Sequence, residues 1–355
     1  MMRRLPLFLC AVAFVGCSQA QTGAPDAPAK APVMTDTFQH TPTPPQDRLV
    51  GIAYSTWHQN KNWGTNSWGT PATGAYASDD KAVIQQHARQ LQAAGVDFVL
   101  EDWSNNIGYV YDPAKKRPDF DMIEGATFTL FDEWTKLRAA GEKTPNISIM
   151  AGVTGAPAAA DDGRLQRKAD QIWNQFVANP VYRPLVQMDG GKPLLVIYVN
   201  TPSPFQNGVP KWNDSRFVVR WMTGYVTEQS ALRTPDLISK YGYWSWEDRG
   251  PQTFPVVDGQ PESMVITAAV RPQGKPGDRY YIPAAPRSNG ETFKRAWARA
   301  REIGPKYALV VSWNEWHKGE QPTPEISKDI EPSKEFGNLY LDLLKQEIAD
   351  FKAGR

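Results

Sequence analysis

From Leu49 onward the chain repeats one pattern, a short and nearly continuous apolar run followed by a stretch with helical spacing. The runs are Leu49–Trp57, Val96–Trp103, Asn146–Val153, Pro193–Asn200, Phe217–Thr223, Tyr241–Trp246, Ser263–Val270 and Tyr307–Trp316, eight in all. Apolar runs of this length without strict alternation are strands buried on both faces, as in a parallel sheet. Helical periodicity marks Ser78–Ala94, Thr127–Ala140, Asp162–Ala178, Gly290–Ile303 and Ser333–Phe351. Asp79 and Asp80 fall in the expected first turn of the first helix, where a negative charge opposes the helix dipole. Strands alternating with helices predict an α/β fold, a single eight-stranded β/α barrel of the TIM type over residues 49–355. The alternative is a doubly wound open sheet. Such sheets usually turn on glycines after the first strand, and Tyr54-Ser55-Thr56-Trp57-His58 is not a glycine-rich turn.

The pattern before Leu49 is different. Arg3 and Arg4 precede an apolar run, Leu5–Val15, of signal-peptide length and too short to span a membrane. It ends in Gly16-Cys17-Ser18, which resembles a bacterial lipobox, so residues 1–17 are expected to be a lipoprotein signal with Cys17 lipidated. An ordinary secretory signal cleaved near Ala20 is the alternative. Residues 18–48 are rich in Pro and Ala and poor in large apolar side chains, the composition of a disordered tether. The expected location is therefore exported: an outer-membrane lipoprotein, or the periplasm or surface of a Gram-negative cell. Membrane contact is expected only through the anchor.

Composition removes several function classes. With 39 basic and 38 acidic side chains there is no electrostatic case for nucleic acid. Cys10 and Cys17 are the two cysteines and both lie in the leader, so the domain has no thiolate metal site or disulfide framework. No phosphate-binding loop or zinc-type His pair is present, and neither metal nor organic cofactor is expected. Thirteen Trp, in contrast, require an explanation.

Barrel enzymes carry their chemistry at the C-terminal ends of the strands. Here those ends read Tyr54, Trp57 and His58; Glu101-Asp102-Trp103; Tyr198; Trp244-Ser245-Trp246-Glu247-Asp248; and Trp313-Asn314-Glu315-Trp316-His317. Aromatic rings stack on the apolar faces of sugars, and a carboxylate pair is what glycoside hydrolysis needs. Any single strand-end Trp is more often core than sugar platform; four or more on one rim are harder to explain by packing alone. Glu101 and Asp102 are adjacent, so one should point into the barrel and the other outward. Glu247 and Asp248 also read as solvated loop charges beside Arg249. His87, on a helix, and His40, in the tether, read as bystanders.

Val311-Ser312-Trp313-Asn314-Glu315-Trp316-His317-Lys318-Gly319, followed by Asp329-Ile330-Glu331-Pro332-Ser333 and Glu335-Phe336-Gly337, resembles the C-terminal signature of family 99-like glycoside hydrolases. That group includes endo-α-mannosidases and endo-α-mannanases, with the related family 71 α-glucanases and the WbsX-type polysaccharide proteins. Tyr54 with Trp57, Lys192–Tyr198 and Tyr243–Trp246 are weaker matches. The resemblance implies a β/α barrel acting on carbohydrate, with Glu315 in the position of the family's first loop glutamate. The position of its second is Lys318, which cannot act as a carboxylic acid.

These observations together predict a glycosidase acting on a poly- or oligosaccharide. Glu315 is the principal carboxylate, and Glu101, Asp102 and Glu320 are candidates for its partner. Tyr54, Trp57, His58, Trp103, Tyr198, Trp246, Trp316, His317 and Lys318 are expected to line the sugar site. Two other readings accommodate Lys318: a surface glycan-binding protein with a non-catalytic barrel, and an accessory protein of polysaccharide assembly.

Overall fold

The computed structural model describes residues 40–355 apart from 62, 64–66, 109–117, 154–155, 200–207, 225, 228–229, 273–275, 278–282 and 317–322; for 118–121 and 227 only the backbone is described. The leader with Cys17, most of the expected tether, and the candidates His317, Lys318 and Glu320 lie outside the described residues.

All eight apolar runs contain a strand. They are β1 (Leu49–Tyr54), β2 (Phe98–Trp103), β3 (Asn146–Gly152), β4 (Lys192–Val199), β5 (Val218–Thr223), β6 (Trp244–Ser245), β7 (Ser263–Thr267) and β8 (Tyr307–Val311). The main helices are α1 (Lys81–Ala94), α2 (Pro118–Ala139), α3 (Arg164–Ile172), α4 (Glu291–Ile303) and α5 (Leu339–Ala353). The strands pair in parallel in the order β7-β8-β1-β2-β3-β4-β5-β6, a nearly closed barrel of the TIM type. The two ends of the ladder meet through side chains. Trp244 Nε1 donates to Glu262 Oε2 at 2.8 Å, and Arg220 Nε donates to Glu262 Oε1 at 2.6 Å.

The period-two side-chain rule sorts each strand into an inner and an outer face. Ala53, Phe98, Leu100, Met150, Val196, Met222, Val265 and Leu309 fill the barrel. Ile52, Val99, Ile149, Ile197, Ile266 and Val310 face outward against helices that include α1, α2 and α4. Both faces are apolar because both are covered, which is why the runs lack alternation. Gly51 is required by this packing, since a Cβ there would come within 2.4 Å of the Phe98 ring.

Three boundaries differ from expectation. Asp79 and Asp80 lie before α1, not in its first turn. Asp80 is its N-cap, accepting from Ala82 N at 3.1 Å and Val83 N at 3.5 Å, worth about 1 kcal/mol. α5 starts at Leu339 because Ser333 and Gly337 close a turn, with Gly337 at φ 55°. The described part of the expected tether is bound to the barrel: Thr43 N donates to Gly304 O at 2.8 Å, and Arg48 Nη1 to Phe351 O at 3.0 Å.

Candidate active site

The end of β2 carries two carboxyls in opposite environments. Asp102 follows Leu100 on the inner face. Glu101 follows Val99 on the outer face and points into the layer between β2 and α2. There its Oε1 accepts from the hydroxyls of Thr56 and, at 2.9 Å, of Thr127. Burial pushes the Glu101 carboxyl up to about 8, with the charge of Asp102 adding to the shift and the two hydroxyls opposing it. Asp102 Oδ1 accepts from Ser104 N at 2.8 Å. Its carboxyl is pushed up to about 6 by burial first and by the charge of Glu315 further, while Ser104 and Lys328 pull it down. The turn after Asp102 passes so close to β3 that a Cβ on Gly152 would lie 2.1 Å from Ser104 O. Only glycine fits there.

The segment after β8 is held by its own sequence and by β1. Asn314 Oδ1 accepts from Ser55 N at 2.8 Å, and Asn314 Nδ2 donates to Ser55 O at 3.0 Å and to the Tyr76 hydroxyl at 3.2 Å. His58 Nε2 is 3.0 Å from Asn314 O, and Trp57 Nε1 donates to Glu315 O at 3.2 Å. Asp329 Oδ1 accepts from Ser312 Oγ at 2.9 Å and Trp316 N at 3.1 Å, and Oδ2 accepts from Ser327 Oγ at 2.5 Å. Burial and then the charge of Glu315 push Asp329 up to about 6.

Beneath this segment lies Glu331. Its Oε2 accepts from Trp316 Nε1 at 2.6 Å and from the Tyr76 hydroxyl at 2.8 Å. Its Oε1 is 2.9 Å from His87 Nε2, whose Nδ1 is 2.8 Å from the Tyr54 hydroxyl. A carboxylate only accepts, so Nε2 carries the hydrogen, and in the neutral ring Nδ1 accepts from Tyr54. His87 is therefore no bystander; it joins α1 to the loop that presents Glu315. Burial, then the charges of Glu101 and Glu331, hold the Tyr54 phenol well above its usual range, so it stays a donor.

Glu315 itself meets charge. Its Oε2 is 3.1 Å from Lys328 Nζ, which is also 3.2 Å from Glu247 Oε2. Glu247 Oε1 accepts from Arg249 Nε at 2.6 Å. Glu247 and Asp248 are buried, not solvated loop charges, because the short strand at Asp248–Arg249 pairs with Val226–Thr227. A small cavity is lined by Trp68, Arg271, Glu315, Lys328 and Asp329.

The predicted aromatics divide between mouth and scaffold. Tyr198 and Trp246 lie edge to face at 6.0 Å on the inner side, and Lys328 Nζ is 5.6 Å from the Trp246 ring. Trp57 is half-buried against the Glu315 backbone. Trp103 is not brought to the mouth. It is fully buried on the outer face, donating from Nε1 to Thr127 Oγ1 at 2.9 Å with its ring edge on Phe176. Tyr54 and Trp316 serve the Glu331 network, and His58 stacks on Trp63 at 4.1 Å. Sequence reasoning gave no role to Lys328, Trp68 or Arg271. Among the described residues, no group of three or more His, Cys, Asp or Glu is placed to hold a metal ion.

No family model matches the chain, and no curated protein sequence matches it. Solved structures do. Two structures of the GH99 endo-alpha-mannosidase from Bacteroides thetaiotaomicron align over 87% of this chain and 98% of theirs at 15% identity. Their TM-scores are 0.55 and, for the complex with BIS-TRIS-propane, 0.53. The likeness is one of fold.

Proposed function

We propose that the barrel is a glycosidase in which Glu315 is the principal carboxylate and Asp102 its partner. The observation that carries this reading is the placement of two buried carboxyls at strand ends on one rim. The charge of Glu315 helps raise Asp102 to about 6. Glycoside hydrolysis needs one carboxyl that holds a proton near neutral pH and one that does not. In this assignment Asp102 gives its proton to the departing glycosidic oxygen. Glu315 either attacks the anomeric carbon or takes a proton from the water that does. The net reaction places OH on that carbon and H on the leaving group. Trp246 and Tyr198, with Trp57 and Trp68 nearby, supply ring faces and edges for the sugar. The barrel likeness to a family 99 endo-alpha-mannosidase supports a carbohydrate substrate.

The test is product analysis after incubating purified protein with plant, fungal and bacterial glycans. Asp102→Asn should abolish the limb of the pH–rate profile near 6. Loss of that limb in Glu320→Gln instead would make Glu320 the partner. Glycan affinity without product in the wild type would overturn the enzyme reading in favour of a binding protein, the role that Lys318 favours.

A further inference from the structure

The proposed reaction uses Glu315 and Asp102 but leaves unexplained a buried lysine between two glutamates from different strand ends. Lys328 Nζ lies 3.1 Å from Glu315 Oε2 and 3.2 Å from Glu247 Oε2. We propose that Lys328 is a positioning residue that bridges Glu247 to Glu315 and holds the Glu315 carboxylate toward the mouth. The inference rests on the glycosidase reading for its functional meaning, though not for its test.

Lys328 is delivered rigidly. Its neighbour Asp329 is tied to Ser312, Trp316 and Ser327, and its own carbonyl accepts from Ser312 N at 3.4 Å. Ile330 N donates back to Ser312 O at 3.0 Å. The segment from Lys328 to Ile330 therefore lies against the start of the loop that carries Glu315. A lysine on a free loop would lose more rotamer entropy in holding two carboxylates.

The charges around Glu315 show why a cation is needed. Asp102 faces it from β2 and Asp329 from the segment after β8, and the Glu315 charge raises both. Glu247 adds a third carboxyl from the end of β6, with Arg249 at its other oxygen. Arg271, after β7, lines the same cavity as Glu315, and His58, after β1, meets the carbonyl of Asn314. Burial and three neighbouring acids all favour the protonated form of Glu315, and a cation in direct contact opposes them. The contact with Lys328 therefore favours the charged form of Glu315. Glu247 has the complementary task. It shares the lysine, and Arg249 balances its own charge.

The measurement is the protonation midpoint of Glu315 in the full-length protein, read by pH-dependent carbodiimide labelling of its peptide with mass spectrometry. Lys328→Met keeps length and removes charge. It should raise the midpoint by at least about one pH unit, a tenfold change in the ionised ratio. Lys328→Arg should restore it. Glu247→Gln should move the midpoint the opposite way, because it removes a negative charge that shares Lys328 with Glu315. The opposed signs also cover the case in which Lys328→Met fails to fold. A merely structural lysine would lower melting temperature and leave the midpoint unmoved in both variants, and that result overturns the proposal. No turnover is required. Shifted midpoints in a protein without glycosidase activity would sink the enzyme reading alone. Unmoved midpoints in an active enzyme would sink the role of Lys328 alone.

Discussion

Glu331 and Glu315 are both buried glutamates on the segment that follows β8, and they are held in different ways. Glu331 receives hydrogen bonds from Tyr76, Trp316 and His87, packed between α1 and the loop. Glu315 meets the ammonium of Lys328, lines a cavity and perturbs the carboxyls of Asp102 and Asp329. A buried carboxylate held by three side-chain donors fits a scaffold role, because removing it leaves those donors unpaired. One that faces a cavity and couples to other acids is placed to exchange protons. Under the proposed function, the contrast separates two residues of one motif that look alike in sequence.

The largest test of that contrast is Glu315→Gln. It should cut turnover on a true substrate by about two to four orders of magnitude, the scale of a nucleophile or acid–base residue, and leave thermal stability nearly unchanged. A loss below about tenfold with a sharply lower melting temperature would make Glu315 scaffold as well. Glu331→Ala should do the reverse. It strands three buried donors, and chemical denaturation should show a loss of about 3–5 kcal/mol. Unchanged stability there would erase the distinction.

Four buried carboxyls sharpen it through pH. Asp102, Asp248 and Asp329 are raised from 3.8 to about 6, and Glu101 from 4.5 to about 8. In each window the folded protein keeps a proton that the unfolded chain releases, so these groups make stability fall as pH rises. Melting temperature should therefore drop from pH 5 to pH 8, and Glu101→Gln should flatten the part between about 6 and 8 without touching turnover. For each such group, the loss is at most about 1.4 kcal/mol per pH step of one across its window. A profile that rises over this range would show Glu101 ionised in the fold. The smallest effect concerns the Trp residues. Trp68→Ala should weaken glycan binding by about 1 kcal/mol, whereas Trp103→Phe should lower stability and leave binding alone, as calorimetry would show.

The strands were readable because burial on two faces writes itself as uninterrupted apolar runs, and the alternation of Glu101 with Asp102 followed from strand geometry. Which of the two faced inward did not, since that depends on the phase of β2 against β1 and β3. Glu247 stands in Glu-Asp-Arg-Gly, which reads as a wet loop; pairing of distant residues 226–227 with 248–249 buries it. Lys328 was invisible for a related reason. The chain leaves Glu315 and returns, and spacing along the sequence says nothing about where such a return brings a side chain. His87 shows only its helix in the sequence, while its partners come from β1 and from after β8.

One contact at the base has a directional consequence. Thr43 and Arg48 fasten the incoming chain to Gly304 and Phe351, at the ends of α4 and α5 and on the side where the strands begin. The mouth lies where the strands end. A load applied through the residues before His40 would thus be borne by the floor of the barrel, and the rim with Glu315 would be spared it.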